Sequence, residues 1–175
     1  MVVLRATRKV LRSLPLSAGG SEGSDNALGD WYANRIVVDR KPLLLLVSSK
    51  SLLAILTPAR DVKSLPSLLA KLVEARLRRL LVDETIIVSE VAATAPVYVG
   101  KTLDRSVTGQ LVDFARAVPY YLPVNGWDES TLHSVEERLA ETPCRASRTD
   151  TEVIWPARAA NQLLQTAWPA SSTRH

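Results

Sequence analysis

Lys101, Arg105 and Ser106 fall where an apolar strand, Val97-Tyr98-Val99, gives way to a helical pattern. Two cations and a hydroxyl at a helix start are residue types that hold an anion. The first turn leaves backbone N–H groups unpaired and carries the positive end of the helix dipole. Gly109 stands inside the same helical run, where glycine costs about 1 kcal/mol against alanine. That cost points to close approach of another backbone or of a ligand. Asp113 follows on the same run as a candidate general base. A purely structural reading competes: Thr102 or Asp104 caps the helix, Arg105 pairs with Asp30 or Asp113, and Gly109 lets two elements pack tightly.

A second polar stretch, Gly29-Asp30-Trp31-Tyr32-Ala33-Asn34, stands at the mouth of a strand. A glycine, an acid and two aromatics can make a ligand platform, since aromatics stack on planar groups and acids orient them. The structural alternative is a turn glycine followed by a core tryptophan. A third feature is a basic stripe of Arg5, Arg8, Lys9 and Arg12, joined by Arg76, Arg78 and Arg79, which could hold phosphates. It reads first as a solvated face, because no nucleic-acid motif accompanies it.

The remaining chemistry is sparse. There are two histidines: His175 is terminal, and His133 sits in a charged helical segment where it reads as a surface residue. No His-x-x-x-His spacing or His/Glu cluster suits zinc, and no standard phosphate-binding glycine loop calls for a cofactor, so none is expected of either kind. Cys144 is the single cysteine, which rules out a disulfide within the chain and reads as a small buried apolar side chain. A Ser-His-Asp triad would have to recruit His133.

The rest of the chain must position these residues. Its 175 residues suit one domain, and 46% hydrophobic with 23% charged composition is ordinary for a globular core. The net charge of +4 is unevenly spread: 14 basic against 6 acidic side chains in residues 1–80, then 8 against 12 in the remainder. Such a split can steer a polyanion, or attract its own other half or a second copy in a homodimer. No run approaches the roughly 18 apolar residues that span a bilayer, so no membrane partner is expected, and the lone cysteine fits the cytoplasm.

Strands are expected at 2–5, 31–39, 43–48 and 97–101, the leucine run at 43–47 being buried on both faces. Ser49 or Ser51 is expected to cap a short helix through Leu56. The clearest helix runs over 65–81. Leu103, Val107, Leu111, Phe114 and Val118 mark another that ends before Pro119. Further helices fit 83–93, 130–141 and 157–167. Residues 16–27, rich in glycine and serine, read as a flexible loop, and 169–175 as a disordered tail. The fold expected is α+β, a small mostly antiparallel sheet packed against several helices in a single domain over 1–168.

These stretches resemble a family of uncharacterised bacterial proteins. The shared segments are the opening strand with Arg5-Ala6-Thr7-Arg8-Lys9-Val10-Leu11, the Leu-Gly-Asp-Trp-Tyr-Ala-Asn of 28–34, and the Lys-Thr-x-x-Arg-Ser-Val-x-Gly run that continues to Asp113-Phe114. A Leu-Ala-Glu-Thr-Pro-Cys segment at 139–144 joins them. The resemblance implies no reaction. The functional expectation is therefore a non-enzymatic binding or regulatory module, antitoxin-like or defence-associated, acting through a protein partner or a bound anion or nucleotide. An enzyme acting on a phosphorylated or nucleotide-like substrate is the alternative: Lys101 and Arg105 would hold the anion, with Asp30 or Asp113 as base. A nucleic-acid binder is the third reading.

Overall fold

A computed structural model describes residues 1–19, 23–145 and 151–170. The expected tail at 169–175 lies largely outside them, as does the middle of the glycine-serine loop. The α+β expectation holds. One five-stranded sheet runs in the order β4-β3-β2-β1-β5, from β1 (Val2–Ala6), β2 (Trp31–Val38), β3 (Lys41–Ser48), β4 (Ala54–Pro58) and β5 (Val97–Lys101). Two ladders, β2 with β3 and β3 with β4, are antiparallel, while β1 lies parallel to both β2 and β5.

Side chains alternate across a strand, so the β3 run divides between two cores. Leu44 and Leu46 join Leu4, Trp31 and Ile55 beneath α1 (Arg8–Leu11), α2 (Leu65–Arg79), α3 (Glu84–Ala93) and α6 (Pro156–Ala167). Leu43, Leu45 and Val47 join Tyr32 and Leu56 beneath α4 (Arg105–Tyr121) and α5 (Glu129–Ala140). A two-residue ribbon, β6 (Cys144–Arg145) with β7 (Val153–Ile154), lies between α5 and α6 in the chain. The expected helices at 65–81, 83–93, 103–118, 130–141 and 157–167 are all present, shifted by a few residues.

Two expectations fail for local reasons. No helix forms over 49–56; residues 54–58 are β4. Ser51, instead of capping, joins Ser48 in a turn: their hydroxyls stand 2.9 Å apart, and Ser51 N–H donates to Ser48 Oγ at 3.2 Å. Serines that satisfy local backbone groups this way compete with helix. Ala54, Ile55 and Leu56 then alternate between the cores as a strand should. The α4 helix also runs through Pro119 to Tyr121. A proline that near a helix end removes a single backbone bond, which the buried Val118 and Leu122 on either side of it outweigh.

The glycine-serine loop is tied down on both flanks. Ser17 exchanges bonds with Val99 on the outer edge of β5, and Ser24 Oγ accepts from Val3 N–H at 2.9 Å. No described helix is long and apolar enough to cross a membrane.

Candidate functional site

The Leu28–Asn34 motif turns inward. Gly29 adopts a positive φ of 80°, and a Cβ there would run into Ser49 Oγ and Lys50 Cγ, so glycine is required at this turn. Asp30 receives Arg5 Nε at 2.8 Å and Ser24 Oγ at 2.6 Å. Arg5 also reaches the Lys101 carbonyl at 3.4 Å, lying over Gly100, where a Cβ would sit 3.0 Å from its guanidinium. Trp31 is 0% exposed, with no face left for a planar ligand. Asn34 accepts from Thr7 Oγ1 at 3.0 Å, so Thr7 ties β2 to the start of α1 instead of capping it by side chain. The ligand platform expected of Asp30, Trp31, Tyr32 and Asn34 is replaced by an interior brace.

That brace sets the start of α4. The Tyr32 hydroxyl accepts the Asp104 N–H at 3.0 Å, and Asp104 caps the helix by accepting Ser106 N–H at 2.8 Å and Val107 N–H at 3.3 Å. The Ser106 hydroxyl bond holds the Asp104 carboxyl below its ordinary range, so it stands there as a carboxylate. Negative charge thus already occupies the helix N-terminus, which corrects the expectation of an anion site on its free amides. Lys101 ends β5 exposed and does not line the cavity that Arg105 lines.

A cavity lies along the side of α4. An open groove of about 1000 Å³ runs beside the helix from Arg105 to Tyr121, with its far wall formed by the end of α5 and by β6. Arg105, Ser106, Gly109 and Asp113, all anticipated, line it together with Phe114. Opposite them stand Leu139, Thr142, Pro143, Cys144 and Arg145, from a stretch to which the sequence reading gave no role beyond a buried cysteine. No ion pair to Arg105 is present among the described residues. A Cβ at Gly109 would meet nothing within 4 Å, so neither tight packing nor a neighbouring backbone accounts for the glycine.

The groove's acid–base chemistry is thin. Cys144 is buried, its Sγ donates to the Thr142 carbonyl at 3.2 Å, and burial beside Asp113 pushes the thiol up to about 11. At neutral pH it is a protonated packing group, not a nucleophile. Asp30 lies outside the groove, locked to Arg5, which removes one of the two expected bases. The spacing Gly-x-Ser-x-Gly occurs once, at Gly19 to Gly23, and its Ser21 lies outside the described residues. No cluster of three His, Cys, Asp or Glu among the described residues could hold a metal ion.

The basic stripe does not assemble. Arg76 is 0% exposed, donating to the Ala54 carbonyl at 3.1 Å and pairing with Glu136 and Glu137 of α5. Arg79 donates to both Glu136 oxygens at 3.0 and 2.9 Å, and Arg78 pairs with Glu74 and Glu84. Arg5 is buried on Asp30, leaving Arg8, Lys9 and Arg12 as the stripe's outward members without an acidic partner among the described residues. The clamp of Arg76, Arg79 and Glu136 was not legible in sequence, because α2 and α5 lie about 60 residues apart and nothing local couples them. The same holds for Glu90. This buried carboxylate accepts from Asn26 Nδ2, the Ala27 and Leu28 N–H groups and Trp168 Nε1, drawing the loop and the end of α6 onto α3.

Neither a curated protein nor a solved structure matches the chain. A family model does, over residues 3–159, and the stretch it covers contains the brace, α4 and both walls of the groove. The chain belongs to the family described as a domain of unknown function, DUF6933.

Proposed function

We propose that the chain is a non-enzymatic binding module that holds part of a protein partner in the groove between α4 and β6. One observation carries the reading. The Arg105–Phe114 motif and the Leu139–Cys144 segment, distant in sequence, supply facing walls of a single groove, while the Leu28–Asn34 motif braces the start of the helix that forms one of them. The ionisable lining consists of two arginines, one carboxylate, a thiol held protonated and the Tyr121 phenol, which stands about two turns of α4 from Asp113. A lone carboxylate without an acid partner is a poor basis for general acid–base catalysis and a good one for recognition.

Site-directed photocrosslinking tests this. A benzophenone amino acid in place of Gly109 should give one dominant crosslinked protein in cells, and the same group in place of exposed Lys71 on α2 should not. Equal products from both positions, or none from either, would remove the groove as the binding site.

Arg105 supports a second reading, a bound anion or nucleotide, because it lines the groove without a carboxylate partner among the described residues. Native mass spectrometry beside a denatured control decides between them. A co-purifying small anion, with thermal stabilisation lost in Arg105→Ala, would replace the protein partner by a small ligand.

A further inference from the structure

We infer that the occupant of this groove is an extended segment, apolar at its centre and acidic towards its ends, contributed by another protein. The inference rests on the groove being the binding site. Length is the first argument. The 17 residues of α4 rise about 1.5 Å each, so the groove follows roughly 25 Å of helix. An extended chain advances about 3.3 Å per residue, which makes this the span of seven or eight residues. At about 1000 Å³ the groove also stands at the upper limit of small-molecule sites, about 300–1,000 Å³.

Charge and polarity select the chemistry. Arg105 lines one end; at the other, Arg138 lies outside the lining and stacks 5.0 Å from the ring of Tyr121, which belongs to it. Arg145 adds a cation from β6, against the single acid Asp113. Between the ends the apolar lining is Val112, Phe114, Ala117, Leu139, Pro143 and the protonated Cys144, interrupted by the uncharged Gln110 and Thr142. Apolar side chains stand exposed at the end of α4 and just past it, Tyr120 at 87% and Val124 at 96%. Gly109 completes the argument: it leaves empty space where any side chain would project. Cations at both ends of an apolar trough complement acidic ends on an apolar segment, and arginine pairs carboxylates by two parallel bonds.

The test is selection of random decapeptides displayed on phage against the folded protein, with Gly109→Leu and Arg105→Glu as comparison targets. Gly109→Leu puts a side chain into the groove without touching the core. The expected result is enrichment of sequences with Asp or Glu towards both ends of an apolar centre. Their binding should fall at least tenfold in each variant and weaken with added salt. Enriched peptides that are neutral or basic but still lost in Gly109→Leu would overturn the acidic class and leave the groove standing. Peptides indifferent to both variants, or no enrichment, would overturn the occupant and the groove together. A wild-type dimer in sedimentation that Gly109→Leu dissociates would make the occupant a second copy of this chain and overturn the inference.

Discussion

The Leu28–Asn34 and Lys101–Phe114 motifs look alike in sequence, each mixing charge, aromatic side chain and glycine, and the fold uses them in opposite ways. The first is consumed internally. Trp31 fills one core, Tyr32 the other, and Asp30 and Asn34 spend their hydrogen-bonding capacity on Arg5, Ser24 and Thr7. The second keeps its polar groups outward: only Asp104 and Ser106 are engaged by capping, while Arg105, Gly109 and Asp113 face a groove. What separates them is whether a partner lies within the chain. A polar residue satisfied inside a fold stabilises it, and one left facing a cavity is available to something else.

The contrast breaks most visibly at Trp31. Truncating a fully buried aromatic removes its transfer free energy and leaves a cavity, so Trp31→Ala should lose about 3–5 kcal/mol in urea unfolding. A loss below about 1 kcal/mol would return Trp31 to the surface and restore the ligand platform. Next in size is a pH dependence confined to the interior. Burial raises the Glu136 carboxyl to about 7 in spite of Arg76 and Arg79 beside it. A carboxyl raised in the folded state favours folding while protonated. That contribution is complete below about pH 4.5 and disappears as the pH rises through about 7, and the shift corresponds to about 3 kcal/mol at most. His133, lowered chiefly by desolvation and then by Arg79, titrates in the opposite sense. The readout is therefore the difference between the unfolding free energies of wild type and Glu136→Gln from pH 5 to 8. A parallel pair of curves would place the titration elsewhere.

Much of this architecture was legible from periodicity. The spacing from Val107 to Val118 marked α4, and the leucine run of β3 marked a strand buried on both faces, because each pattern reports a local geometry. The β4 strand was hidden by Ser49 and Ser51, which read as alternative helix caps; Ser51 closes a turn with Ser48 instead. Arg76 read as surface because charge within a helix is usually solvated, and only the distant α5 supplies the carboxylates that bury it. One wall of the groove was visible as candidate residues, since a helix lays out its own face. The other, Leu139 to Arg145, entered only as the resembling segment 139–144 and a buried Cys144, because no local rule says which loop a helix will face.

Two glycines sharpen the comparison at its smaller scale. Gly29→Ala should cost about 1–3 kcal/mol, because the φ of 80° and the contacts with Ser49 and Lys50 both oppose a side chain. Gly109→Ala should go the other way. Its helical backbone suits alanine, nothing lies within 4 Å of the new Cβ, and the helix interior gains about 1 kcal/mol. The protein therefore carries a glycine that its own stability disfavours, in the wall of the α4 groove. If Gly109→Ala raises the unfolding midpoint and weakens peptide capture in one experiment, the glycine is kept for an occupant. If the midpoint falls, α4 has a packing constraint at Gly109 after all, and the two motifs are more alike than their positions imply.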